Sequence, residues 1–102
     1  MIFICSPYRG DITQNTENAK HYCKTVIKST GKIPIAPHLY FPQFLDDNDT
    51  AERELGIRAG LKLMKDCEEV WVFGDDITDG MRREIAFAEI EGIEILYFTK
   101  AR

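Results

Sequence analysis

With 102 residues, the chain has room for one domain and one core, and not for two. Its 44% hydrophobic and 29% charged content is that of a globular protein, and a formal charge of -4 excludes a general grip on nucleic-acid polymers, which needs a basic field. No apolar run reaches membrane-spanning length, so no membrane partner is expected. Cys5, Cys23 and Cys67 are odd in number and form no CxxC pair, so they read as reduced core thiols. Met1 leads directly into "IFIC" without a basic segment or cleavable signal, which makes a cytoplasmic location the expectation.

The first element is "IFIC" (2–5), a continuous apolar run suited to a central strand covered on both faces. It breaks into "SPYRGD" (6–11), a small polar cluster. A helical stripe follows over 15–31 through Ala19, Tyr22, Cys23, Val26 and Ile27, with Gly31 as its stop. "IPIAP" (33–37) has strand character, and Pro34 fits it to a sheet edge. "HLYFPQFLDDND" (38–49) reads as irregular, but Leu39, Tyr40, Phe41, Phe44 and Leu45 must pack on something, either as a lid on a pocket or against another subunit.

A second helix is predicted over 50–67, capped by Asp49 or Thr50. Leu55, Ala59, Leu63 and Met64 are expected to face inward, with Gly56 and Gly60 as a close-packing seam. "EVWVFG" (69–74) is the other central strand. The third helix covers 80–91, between Asp79 as its cap and Gly92, and "IEILYF" (93–98) is the last strand. Residues 1–102 thus form a single α/β domain. Strict alternation implies right-handed crossovers and a small doubly wound parallel sheet of about four strands, flavodoxin- or Rossmann-like, with three main helices in three layers. The two most apolar strands belong in the middle, giving the order 2-1-3-4.

Open parallel sheets bind ligands at the carboxyl ends of their strands, where the strand order reverses. In this order that point lies between the first and third strands. It gathers Ser6, Tyr8 and Arg9 with Asp75, Asp76 and Asp79. In "SPYRG", a hydroxyl, an aromatic face, a bidentate cation and the permissive Gly10 suit a nucleoside or nucleotide. The competing reading is an ordinary strand-to-helix loop in which Arg9 pairs with Asp11. The loop is neither a Walker sequence nor GxGxxG.

If Asp79 caps the third helix, the inward stripe runs through Met81, Glu84, Ile85 and Ala88, with Arg82 and Arg83 elsewhere. A glutamate on that stripe must pair, bind or react. The helix N-terminus favours its ionised form by about 0.3–1 kcal/mol, as a nucleophile requires. One of Asp75, Asp76 and Asp79 is then the companion acid, and two carboxylates in distinct environments are the apparatus for cleaving a glycosidic bond. A capping-box role, or a salt bridge to Arg9 or Arg53, is the structural alternative for Glu84. His38, after the second strand, can reach the ligand crevice, whereas His21 reads as a solvated helix position. The run Asp46, Asp47, Asp49 is a cation candidate or a solvated loop. No HxxxH or HExxH pattern is present, so no metal or cofactor is expected.

In this order, the segments "SPYRGD", "PHLYFPQFLDD" and "CEEVWVFGDDITDGM" make the chain resemble the nucleoside 2-deoxyribosyltransferase superfamily, and in particular its small bacterial and phage domains. The most specific part is "DGMRREIAFA" (79–88), similar to the pattern D-S/G-G-T-x-x-E-x-G-x-A around the family's nucleophile, which places that role on Glu84. The resemblance implies a homo-oligomer, dimer or higher, in which neighbours help complete each site. It also implies double displacement: the glutamate attacks the anomeric carbon, releases the base, and a second base or water resolves the glycosyl-enzyme. Tyr8 is the aromatic member of the base- and sugar-binding loop, Gly80 and Met81 line the substrate beside the glutamate, and in the 5′-monophosphate hydrolase branch Ser6 and Arg9 take the phosphate. Ala86 replaces the family's second glycine, from which a looser helix approach is expected. Met81 stands where threonine is common, Arg82 and Arg83 make the turn basic, and the chain is shorter by about one strand–helix unit.

Three functions follow from these residues. The first is an N-glycosidase or deoxyribosyltransferase acting on a nucleoside or its monophosphate. The second is a nucleotide-binding module without turnover, marked by a salt-bridged Glu84. The third is an oligomeric interaction domain whose crevice is closed by Tyr8 and Met81.

Overall fold

The computed structural model describes residues 1–98. Its four strands, β1 (Ile2–Cys5), β2 (Pro34–Ile35), β3 (Glu69–Phe73) and β4 (Glu94–Phe98), pair in parallel in the order β2-β1-β3-β4. The central pair is in register from Ile2 opposite Glu69 to Cys5 opposite Val72. All four residues of β1 are fully buried, which is why that strand is uniformly apolar. β2 is only two residues long and begins at Pro34, whose missing N–H is tolerated at an edge.

The helices are α1 (Ile12–Thr30), the short α2 (Pro37–Tyr40), α3 (Thr50–Met64) and α4 (Asp79–Glu91), with a 3-10 turn at Phe41–Gln43. α1 starts three residues earlier than its apolar stripe suggests, because the Asp11 side chain accepts the Gln14 N–H and caps it there. Right-handed crossovers send α1 to one face of the sheet and α3 and α4 to the other. Phe3, Cys5, Val70, Val72, Met64, Met81 and Ala88 form the larger core cluster on the α3–α4 side, and Ile2, Ile4, Val26 and Phe73 form the smaller one under α1.

Several expectations change. Residues 38–49 are not irregular throughout, since α2 and the 3-10 turn occupy 37–43. Leu55 and Ile27 are exposed, at 57% and 49%. On α3 the inward row is Gly56, Gly60 and Met64, four residues apart, and Leu55 lies off it. A Cβ on Gly60 would meet the Pro37 ring at 3.2 Å, so glycine is what lets α3 close on α2. Thr78, not Asp79, caps α4 by accepting the Met81 N–H, and Asp79 is the first helical residue. Ala86 is exposed, so its methyl does not hold the helix off its neighbours.

Candidate active site

A crevice of about 480 Å³ opens at the carboxyl ends of β1 and β2 on the α3–α4 face, within the range of small-molecule sites. Its back is apolar, built from Pro37, Phe41, Leu45 and Ile57. Its polar groups come from three places: the loop after β1, the α2 segment, and the first turns of α4. Gly74 ends β3 at a φ of +105°, and a Cβ there would strike Pro7 at 3.1 Å. Only glycine lets the two strand-end loops approach so closely.

Of the sequence-derived candidates, Ser6, Tyr8, Arg9, Gly10, His38, Asp79, Gly80, Met81 and Glu84 all line this crevice. Asp75 and Asp76 do not. They line a second cavity on the α1 side, of about 660 Å³, together with Tyr22, Phe73 and Phe98. The sheet edge at the β1–β3 switch point divides the two groups. Counted back six positions from Glu84, as in the D-S/G-G-T-x-x-E pattern, the aspartate position falls on the capping Thr78. Asp79 comes one residue later, largely exposed, with Arg82 Nη1 2.7 Å from its Oδ1.

Glu84 follows the first turn of α4. The residue as a whole keeps some exposed surface, while its carboxyl is desolvated. Burial pushes it up to about 8, and a hydrogen bond from the Cys5 thiol pulls it part of the way back. The helix N-terminus therefore does not win: its few tenths of a kcal/mol are outweighed by desolvation. Cys5 ends β1 beneath this turn, with Sγ 3.9 Å from the Met81 carbonyl oxygen. Burial, then the Glu84 charge, push the Cys5 thiol strongly up. Neither Arg9 nor Arg53 pairs with Glu84. Both reach Asp47 instead, Arg9 at 3.1 Å and Arg53 at 3.7 Å, and Asp11, the other expected partner of Arg9, is spent as the α1 cap.

His38 and Ser6 share a hydrogen bond of 3.0 Å between Nε2 and Oγ. Burial lowers His38 to about 4, so it is a neutral imidazole at physiological pH. Tyr8 faces it with ring centroids 6.0 Å apart. Met81 is buried and Tyr8 only part-buried, and the crevice between them is open. Phe41 and Leu45 turn onto the crevice, whereas Tyr40 and Phe44 are exposed, at 61% and 59%. Among the described residues no three His, Cys, Asp or Glu side chains cluster as metal ligands would.

Sequence reasoning singled out neither Glu52 nor Thr78 and gave Asp47 and Arg53 no part in the ligand site, yet all four line the crevice. The signal available for them was spacing. Arg53 and Gly56 are three apart on α3 and Gly60 follows at four, so they share the face that the glycine seam turns inward.

Residues 1–98 match the model of a family described as Domain of unknown function (DUF7768). No curated protein matches the sequence. Among solved structures, the chain is similar to a 2-deoxyribosyltransferase from the psychrotolerant bacterium Bacillus psychrosaccharolyticus, described as a suitable biocatalyst for synthesis of antiviral and antitumoral nucleosides. The TM-score is 0.74 at 17% identity, over 96% of this chain and 71% of that one. The four-stranded parallel architecture is thus that of a deoxyribosyltransferase-like fold.

Proposed function

This chain belongs to the DUF7768 family, and from its crevice we propose that it cleaves the N-glycosidic bond of a nucleoside or nucleoside 5′-monophosphate, with Glu84 as nucleophile. The observation that carries this reading is a desolvated carboxyl on the wall of an open crevice, with no cation paired to it among the described residues. The two arginines nearby are committed to Asp47 and leave Glu84 without a cation. The fold similarity to a nucleoside-processing enzyme supports the same substrate class.

In the first step the ionised Glu84 oxygen bonds to the anomeric carbon and the carbon–nitrogen bond breaks, its electron pair leaving with the base. The departing base takes its proton from solvent at the open mouth of the crevice; Asp79, the one of the three aspartate candidates that lines it, is paired with Arg82. In the second step water, or another base, attacks the same carbon and gives up a proton to solvent, and the carbon–oxygen bond to Glu84 breaks with its electron pair returning to the carboxylate. Tyr8 and the Ser6–His38 pair hold the ligand at the β1 and β2 ends, and the Cys5 thiol supports the ionised carboxylate. A homo-oligomer and a cytoplasmic setting belong to this proposal. Purified protein incubated with nucleosides and 5′-monophosphates, with and without free adenine, tests it by chromatography of released base. Release that depends on Glu84 is the expected result, and adenine dependence separates transfer from hydrolysis. No release from folded protein across the panel would overturn it.

A further inference from the structure

Arg53 takes no part in the chemistry above, yet it reaches the same crevice as Arg9 from a different element, the first turn of α3. The two side chains meet at Asp47: Arg9 Nε lies 3.1 Å from Oδ2 and Arg53 Nε 3.7 Å from Oδ1. Each guanidinium is therefore ion-paired to the same carboxylate, with Nε as its nearest nitrogen. Among the described residues neither guanidinium makes a hydrogen bond or has a second ion-pair partner. Glu52 also lines that wall, with Oε1 accepting the Asp46 N–H at 2.7 Å. The local charge is thus balanced, and recognition rests on the geometry of the two forks rather than on a basic field. One carboxylate already spans both guanidiniums, so they are close enough to share a single small anion, and the oxygens of a phosphate monoester span a similar distance.

We propose that Arg53, together with Arg9, binds the phosphate of a ligand whose sugar end lies at this mouth of the crevice. This rests on the nucleotide reading of the crevice given above. The anion takes N–H groups of both forks, beside the carboxylate of Asp47 that already draws them together. Arg53 then decides whether the site prefers the phosphorylated ligand to the bare one.

Calorimetric titration with 2-deoxyribose 5-phosphate tests this, with 2-deoxyribose and inorganic phosphate as comparisons. The wild type should bind the sugar phosphate more tightly than either. Arg53→Met should weaken that binding by about 10- to 100-fold, the range for a lost charge-assisted contact. Arg53→Lys keeps the charge but loses the fork and should recover only part of the affinity. If Arg53→Met unfolds, the lysine variant still reads the fork. Arg58→Met, an exposed arginine on the same helix paired with Glu54, should change nothing. Unchanged affinity in Arg53→Met, an equal loss in Arg58→Met, no binding by the wild type, or inorganic phosphate binding as tightly as the sugar phosphate would each overturn the proposal. None of these titrations needs turnover, so failure of the glycosidase reading would show separately, as a missing base-release signal.

Discussion

The two cavities on either side of the β1–β3 switch point are built from neighbouring sequence and share Arg9 and Thr78, but they differ in how their apolar surfaces are covered. On the α1 side, Tyr22 stacks on Phe73 at 4.3 Å, Phe73 on Phe98 at 5.3 Å, and Trp71 lies against Phe98 at 4.5 Å. The aromatic faces there are largely occupied by one another. On the α3–α4 side, the apolar wall is left open and the polar groups converge from separate elements: Glu84, the Ser6–His38 pair, Arg9 and Arg53. Packing occupies the aromatic faces of the α1-side cavity, whereas on the α3–α4 side the apolar wall is uncovered and Glu84 has no cation beside it. The strand-end rule locates the neighbourhood, and which side of the sheet a loop residue faces decides its role.

The largest effect expected to sharpen this contrast is on Glu84. Glu84→Gln should reduce base release by about a thousandfold or more, as loss of a nucleophile does, in protein that keeps its circular dichroism spectrum. The same variant should be more stable than wild type above pH 8. The folded-state value of about 8 lies above the ordinary carboxylate value of 4.5, so the folded state binds the proton more tightly. The contribution of Glu84 to wild-type stability is therefore full below about pH 4.5 and falls as pH rises to about 8, by up to about 1.4 kcal/mol per unit. Glutamine lacks that loss, and denaturant titration at pH 5 and 9 would expose it.

On the other side of the sheet, Phe73→Ala should cost about 3 kcal/mol of stability, the usual loss for a buried ring. The residue is 7% exposed and does not line the crevice. Base release per folded molecule should be nearly unchanged, and a large drop in it would break the division between the cavities. The pH profile comes next in size. A nucleophile must be ionised, and at pH 7 a carboxyl at about 8 is ionised in roughly a tenth of molecules. The kcat/KM for base release should therefore rise about tenfold between pH 7 and a plateau above 8, and a flat profile would remove Glu84 from the chemistry. Gly60→Ala should cost about 1–2 kcal/mol through its 3.2 Å clash with Pro37, read as a shift in denaturant midpoint. The smallest effect is that of Asp76→Asn, which should change base release less than about twofold, since Asp76 belongs to the other cavity.

The fold was legible because the two central strands announced their burial, whereas β4 is apolar in sequence yet largely exposed at the other edge. "IFIC" and "EVWVFG", the most apolar runs, read as the central pair and Pro34 fits an edge, from which the order β2-β1-β3-β4 is expected and is found. Glu84 was legible for the same reason: a carboxylate at helical spacing from Met81 and Ala88 stands out. Its protonation was not, because the helix-terminus term can be read from sequence whereas desolvation depends on how closely Cys5 and α4 pack. The separation of Asp75 and Asp76 from Asp79 was equally invisible. The three aspartates lie within five residues of one another, and the chain from Gly74 to the start of α4 distributes them to opposite sides of the sheet edge. Arg53 was hidden by distance along the chain, since only the folding of 37–49 under α3 brings Asp47 between it and Arg9.

The central claim is a covalent bond at Glu84, and its most direct measurement is peptide mass mapping after rapid acid quench of the protein mixed with a 2′-deoxynucleoside that it cleaves. A deoxyribosyl mass increase on the peptide containing Glu84, absent in Glu84→Gln, is the predicted result. Base release accompanied by an adduct on another residue would contradict the account.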